Sequence, residues 1–217
     1  MRVAKLTEIE DQTSTQRAAI TKGRMKLQRD IIQWREYQFK HFPQLHDHCP
    51  PVDVSAPEVA TLSLPSAFTP SMRTSLGLEK FATIEYDLRE GQAHDALHAV
   101  REAIKTFNYN LAFKKVNIHG QSANTRAQTF LKSLAADKVS AGDKYRRARA
   151  ALLKLGLSES DSVFRPLENK DLWMKNVSMP RQMGDDDKPD PWFWTVGRPG
   201  GMTQEEESEW SRESKCL

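Results

Sequence analysis

The sequence has no run of eighteen apolar residues, so nothing in it reads as a transmembrane helix. Its two cysteines, Cys49 and Cys216, lie far apart and have no others to pair with. That argues against a disulfide framework and for a reducing, intracellular compartment, nuclear or cytoplasmic. The opening residues, Met1-Arg2-Val3-Ala4-Lys5, lack the apolar stretch of a secretory signal. Proline is missing from Ser71 through Phe164, although the chain holds 11. There is no phosphate-binding Gly-x-x-x-x-Gly-Lys-[Ser/Thr] loop, no Gly-x-Ser-x-Gly elbow and no Rossmann glycine fingerprint. The residues therefore give no catalytic assignment and no cofactor, and the expectation is a non-enzyme.

What is present is helical periodicity. Ala127, Leu131, Leu134, Lys138, Ala141, Tyr145, Ala148, Leu152 and Leu155 follow steps of four and three, which keeps one seam in line on a helix. Lys138 alone breaks it, and its stem can lie along the seam while its ammonium reaches water. Leu97, Val100, Ile104, Phe107 and Leu111 repeat the spacing upstream, with Phe81, Ile84 and Leu88 as an earlier set. Gly91 and Ala93 interrupt the bulk, and a small residue there is expected to admit another helix. Without proline both arms can run unbroken. The segment 76–155 thus reads as two long helices joined at Asn117-Ile118-His119-Gly120-Gln121. Gly120 permits the turn, Ser122 or Asn124 caps the second arm, and Gly156 closes it in a left-handed conformation. Each arm spans about 50–60 Å at 1.5 Å per residue. Rods of that length must pair with each other and with a third helix.

Residues 5–41 supply a candidate third helix, with Ile20, Leu27, Ile31 and Trp34 on its seam and Pro43 ending it. Residues 43–70 hold Pro43, Pro50, Pro51, Pro57, Pro65 and Pro70 and read as a connector. Leu62, Leu64, Pro65 and Phe68 are expected to dock on helices, and Thr69-Pro70 to start one. After Gly156 the periodicity fades. Ser158-Glu159-Ser160-Asp161 looks like a helix start, Asn169 to Lys175 reads as one short helix, and residues 176–202 read as irregular. Trp192-Phe193-Trp194 is costly to leave in water and is expected to pin the tail to the hairpin. Thr203-Gln204-Glu205-Glu206 reads as a capping box opening a last helix through Trp210.

The net charge of +3 conceals an asymmetry. Between Arg101 and Lys154 stand twelve basic residues and three acids, a local excess of +9. Lys114, Lys115, Arg126, Lys132, Arg146, Arg147, Arg149 and Lys154 could neutralise phosphates or an acidic partner, against the alternative of a solvated helix face. His41, His46, His48 and Cys49 offer metal donors within nine residues. His48 and Cys49 are adjacent, however, and no second half-site exists, so a solvated loop is expected. His94 and His98 share a helix face without a third ligand. Asp185-Asp186-Asp187 read as an acidic linker. No metal is assigned. Gln92, His94 and Asp95 are polar residues mid-helix, suited to hydrogen bonds that fix register.

Specific runs resemble a known family. Leu88-Arg89-Glu90-Gly91-Gln92-Ala93-His94-Asp95-Ala96-Leu97 and Asn117-Ile118-His119-Gly120-Gln121-Ser122-Ala123-Asn124-Thr125-Arg126 are similar to the C-terminal region of fungal Kyakuja-Dileera-Zisupton (KDZ) transposases. Trp34-Arg35-Glu36, Leu64-Pro65-Ser66 and Trp192-Phe193-Trp194 match further parts in the same order, so the resemblance covers about residues 27–210. It implies a segment detached from a catalytic core that would precede it, and it carries over no catalytic residue.

The expectation is an elongated all-α protein: an antiparallel, coiled-coil-like hairpin (71–156), an N-terminal long helix (1–42) packed along it, a proline-rich connector (43–70) and a largely irregular tail (157–217). Two roles stand open. One is a scaffold contacting DNA or an acidic partner through its basic face. The other is a module that self-associates or binds another helical protein. Neither involves a membrane.

Overall fold

The computed structural model describes residues 13–174 and 191–196. The expected segments at residues 5–12, Asp185 to Asp187, and Thr203 to Trp210 lie outside them. The described residues are all-α, with no strand among them. They fall into two compact units, one up to Glu85 and one from Tyr86 onwards.

In the first unit, helix α1 (Ser14–His41) opens on a capping box in which Thr13 and Gln16 satisfy each other's backbone N–H groups. It ends at Phe42, before Pro43. Ile20 and Ile31 are buried, whereas Trp34 is 43% exposed. The connector is more ordered than its prolines suggest, because Pro43, Pro57 and Pro65 each begin a 3₁₀ turn, at Pro43–His48, Pro57–Val59 and Pro65–Ala67. It is fastened to α1 by polar ties. Arg24 meets both carboxylate oxygens of Glu58, at 2.5 Å at closest. Gln38 donates to the carbonyls of Leu62 and Ser63, and Trp34 Nε1 to that of Leu62. Pro65 and Phe68 are buried as expected, but Leu62 is exposed. Leu45, Phe68, Leu76 and Leu78 form a small core. Ser66 donates twice to Glu85, which explains a serine in the Leu64-Pro65-Ser66 run.

Thr69 caps and Pro70 begins a helix as expected, but that helix, α2 (Pro70–Ser75), is brief. Gly77, at φ +66°, breaks the chain before α3 (Glu79–Asn117). The first arm therefore starts after a glycine turn that the absence of proline does not disclose.

From Tyr86 onwards, α3 packs antiparallel on α4 (Gln121–Leu155). The link is Ile118-His119-Gly120, and Gly120 has φ +87°, a conformation that side chains with a Cβ resist. Neither Ser122 nor Asn124 caps α4. Gly120 is the N-cap, and its own carbonyl takes the Asn124 N–H at 3.0 Å. At the other end Gly156 is left-handed, with Gly156 N–H to Leu153 and Leu157 N–H to Leu152 closing the last turn.

The core joins Ala93, Ala96, Leu97, Val100 and Ile104 of α3 to Ala141, Tyr145, Ala148 and Leu152 of α4. Leu131 is buried, while Leu134 and Leu155 are half-buried. Phe81, Ile84 and Leu88 are not an early part of this seam. All three are exposed, because the face that Leu97 and Val100 bury continues upstream through Ala93 and Tyr86, on the other side of the helix. Gly91 admits no neighbour either, since a Cβ built there meets nothing within 4 Å. Ala93, fully buried, is the small contact residue.

In this unit the third layer over the seam is irregular chain. Phe164, Leu167 and Leu172 from one stretch and Phe193 and Trp194 from another are all buried in the core. Asp161 starts no helix. Its Oδ1 accepts from the N–H groups of Val163 and Phe164, a turn that aims Phe164 inward. Asn169–Asp171 forms a single 3₁₀ turn where a short helix was expected. Trp192–Trp194 does pin its segment: Phe193 is completely buried, and the indoles of Trp192 and Trp194 donate to the carbonyls of Pro166 and Trp173.

Candidate functional site

The cations of the hairpin divide into those that hold the fold and those that face solvent. Arg146 donates to the Leu167 carbonyl at 2.8 Å, to Asp143 at 2.6 Å and to the Asn169 side chain at 2.6 Å. Arg149 donates to the carbonyls of Phe164 and Glu159. Both satisfy carbonyls that the irregular stretch cannot pair with itself. Arg101 does the same for the carbonyls of Phe193 and Val196, and burial lowers its pKa. Lys138, in the seam, is half-buried. Its Nζ sits 4.0 Å from the centroid of the Phe107 ring and 3.5 Å from the Leu172 carbonyl, and burial pulls its pKa below the usual lysine value.

Arg126, Lys132, Lys144 and Arg147 are exposed on α4. Among the described residues none of the four lies within 4.0 Å of a carboxylate. Arg126 and Lys144 are eighteen residues apart, five whole helical turns, so they leave α4 on the same side about 27 Å apart. Two clefts open between the arms. Near the turn, Lys114, Asn124, Thr125, Gln128, Thr129 and Lys132 line about 340 Å³, and Lys114 Nζ donates across it to Gln128 at 2.6 Å. Lys115 is exposed on the same arm. Farther along, Arg89, Gln92, Asp95, Lys144 and Arg147 surround about 370 Å³ floored by Ala96, Ala99 and Ala148.

The polar run of α3 is thereby divided. Gln92 and Asp95 face the second cleft, and Gln92 accepts from Arg89 at 2.9 Å within its own helix rather than across to α4. The ring of His94 lies edge-on against Phe164, centroids 4.9 Å apart. Among the described residues no group of three or more His, Cys, Asp or Glu side chains is placed to hold a metal ion. Arg89 and Lys144 were not singled out by sequence. The available signal was the pairing of Arg89 with Gln92 and of Lys144 with Arg147, each three residues apart.

The described residues define an all-α, helical-hairpin protein, and none of their helices is long and apolar enough to cross a membrane. No family model, curated protein or solved structure matches the chain.

Proposed function

We propose that this chain is a non-catalytic helical scaffold that contacts DNA through the basic edge of its hairpin, in keeping with its resemblance to a KDZ transposase segment set apart from the catalytic core. The observation that carries the reading is the exposed set Arg126, Lys132, Lys144 and Arg147, none of them in an ion pair among the described residues, within a stretch of net charge +9. B-DNA offers one phosphate charge per about 1.7 Å of axis, so a duplex laid along the edge presents a partner to each cation. Titrating labelled duplex DNA at two salt concentrations tests it. Affinity should fall steeply with salt, and no detectable binding at low salt ends the proposal. Competition by an acidic polypeptide at equal charge would instead point to an acidic protein partner.

A second reading, self-association, has its own support. Tyr109, Phe113 and Val116 follow steps of four and three on the side of α3 away from the seam, and they are 72%, 48% and 72% exposed. An apolar stripe at that spacing suits a helix–helix contact. A monomer in sedimentation at tens of micromolar would exclude it.

A further inference from the structure

The cleft holding Arg89, Lys144 and Arg147 differs from the one near the turn. Its floor is made of the methyl groups of Ala96, Ala99 and Ala148, so the arms leave a trough of about 370 Å³ with charge only at its rim. Three cations stand around that trough with one carboxylate, Asp95, and neither Lys144 nor Arg147 forms an ion pair with it. Lys144 and Arg147 are three residues apart on α4, where like charges repel. Arg89 faces them from α3, its guanidinium oriented by the 2.9 Å bond to Gln92. In the other cleft hydroxyl and amide groups dominate, and its two cations are both lysines, Lys114 and Lys132, with no guanidinium.

We infer that the Arg89–Lys144–Arg147 cleft is a phosphate seat. The Arg147 guanidinium supplies forked donors that match phosphate oxygens, Lys144 supplies a compact charge three residues away, and Arg89 adds positive charge from the facing arm. Asp95 weakens the seat by opposing the anion. The inference rests on the DNA reading, in which the bound group is a backbone phosphate. The same chemistry would take a free phosphate.

The test uses the full chain, labelled with ¹⁵N, and inorganic phosphate as the first probe at constant ionic strength. The amides of Gln92, Ala96 and Ala148 should shift and saturate. The double variant Lys144→Gln/Arg147→Gln should lose that response while keeping wild-type helicity. Asp95→Asn should tighten phosphate about two- to fivefold, the worth of one exposed charge pair. With duplex DNA, the double variant should lower the slope of log affinity against log salt by about 1–2, one unit per lost phosphate contact. Wild-type DNA binding with an unchanged slope in the variant, or shifts spread evenly over all lysines and arginines, overturns the seat and leaves the DNA reading standing. Saturable phosphate binding at the cleft without DNA binding supports the seat and removes the DNA reading.

Discussion

The guanidinium of Arg101 grips the carbonyl of Phe193 with two N–H groups, at 2.9 and 2.7 Å, and reaches the Val196 carbonyl at 2.6 Å. The ring of Phe193, completely buried, sits in the same core as Val100 and Ile104. One residue of α3 thus anchors a segment more than ninety positions away. Arg101→Met should leave two carbonyls unpaired and cost about 2–4 kcal/mol. The tryptophan emission of Trp192 and Trp194 should shift red before the helices melt. Urea unfolding followed by fluorescence and by far-ultraviolet circular dichroism checks this, and an unchanged midpoint would remove the clamp from the account.

Alkaline pH should expose two opposed titrations. Burial pushes the Tyr145 phenol well above its ordinary value of 10.0, and its hydroxyl donates to the Arg165 carbonyl at 2.7 Å. The unfolded chain releases that proton near pH 10 and the folded chain does not. Its contribution is therefore complete below pH 10 and is lost as pH climbs beyond. Lys138 has the reverse sign. Its folded pKa lies below 10.5, so the unfolded state holds more protons between the two values and stability rises there with pH. Tyr145→Phe should cost about 1–2 kcal/mol at pH 7 and flatten the loss above pH 10. Lys138→Met should remove the rise. Urea midpoints measured from pH 7 to 11 separate the two.

The glycines should respond according to their backbone and their space. A Cβ at Gly142 would stand 3.5 Å from Leu172 and Arg146, ordinary contact, and one at Gly91 would meet nothing. Gly142→Ala and Gly91→Ala should each stabilise the chain by about 0.5–1 kcal/mol, the helix preference of alanine. Gly120→Ala should destabilise by about 1 kcal/mol or more, because φ +87° strains any side chain with a Cβ. Thermal melts of the three variants should move in these directions.

Acid should loosen the tie between α1 and the Pro57–Val59 turn. The hydrogen bond from Arg24 holds the Glu58 carboxyl below its ordinary value of 4.5. The contribution is present above pH 4.5 and fades as pH falls through the lowered value. Amide exchange at Val59 and Ala60 should quicken there, and Glu58→Gln should make that exchange insensitive to acid.

The hairpin was legible because its seam repeats over many turns and because glycines mark both ends of α4. The third layer was not. Phe164, Leu167 and Leu172 sit in irregular chain, where burial leaves no period to read, and only the Trp192–Trp194 cluster was dense enough to betray docking. Phe81, Ile84 and Leu88 misled because bulky apolar residues at helical spacing look alike on either face. The true continuation runs through small Ala93 and amphipathic Tyr86. Charge was the hardest signal to divide. Arg146 and Arg149 look like Arg147 in sequence, and what distinguishes them is their bonds to the carbonyls of Phe164, Glu159 and Leu167 and, for Arg146, to Asp143 and Asn169.

Fastening Arg146 and Arg149 to those carbonyls separates attraction from docking. Their charges still add to the long-range field of the hairpin, so a polyanion approaching from solution feels all of the basic excess. Once it arrives, neither guanidinium can turn to it without releasing the chain between Glu159 and Asn169. Capture should accordingly depend on ionic strength more steeply than escape does, with association rates falling faster on adding salt than dissociation rates rise.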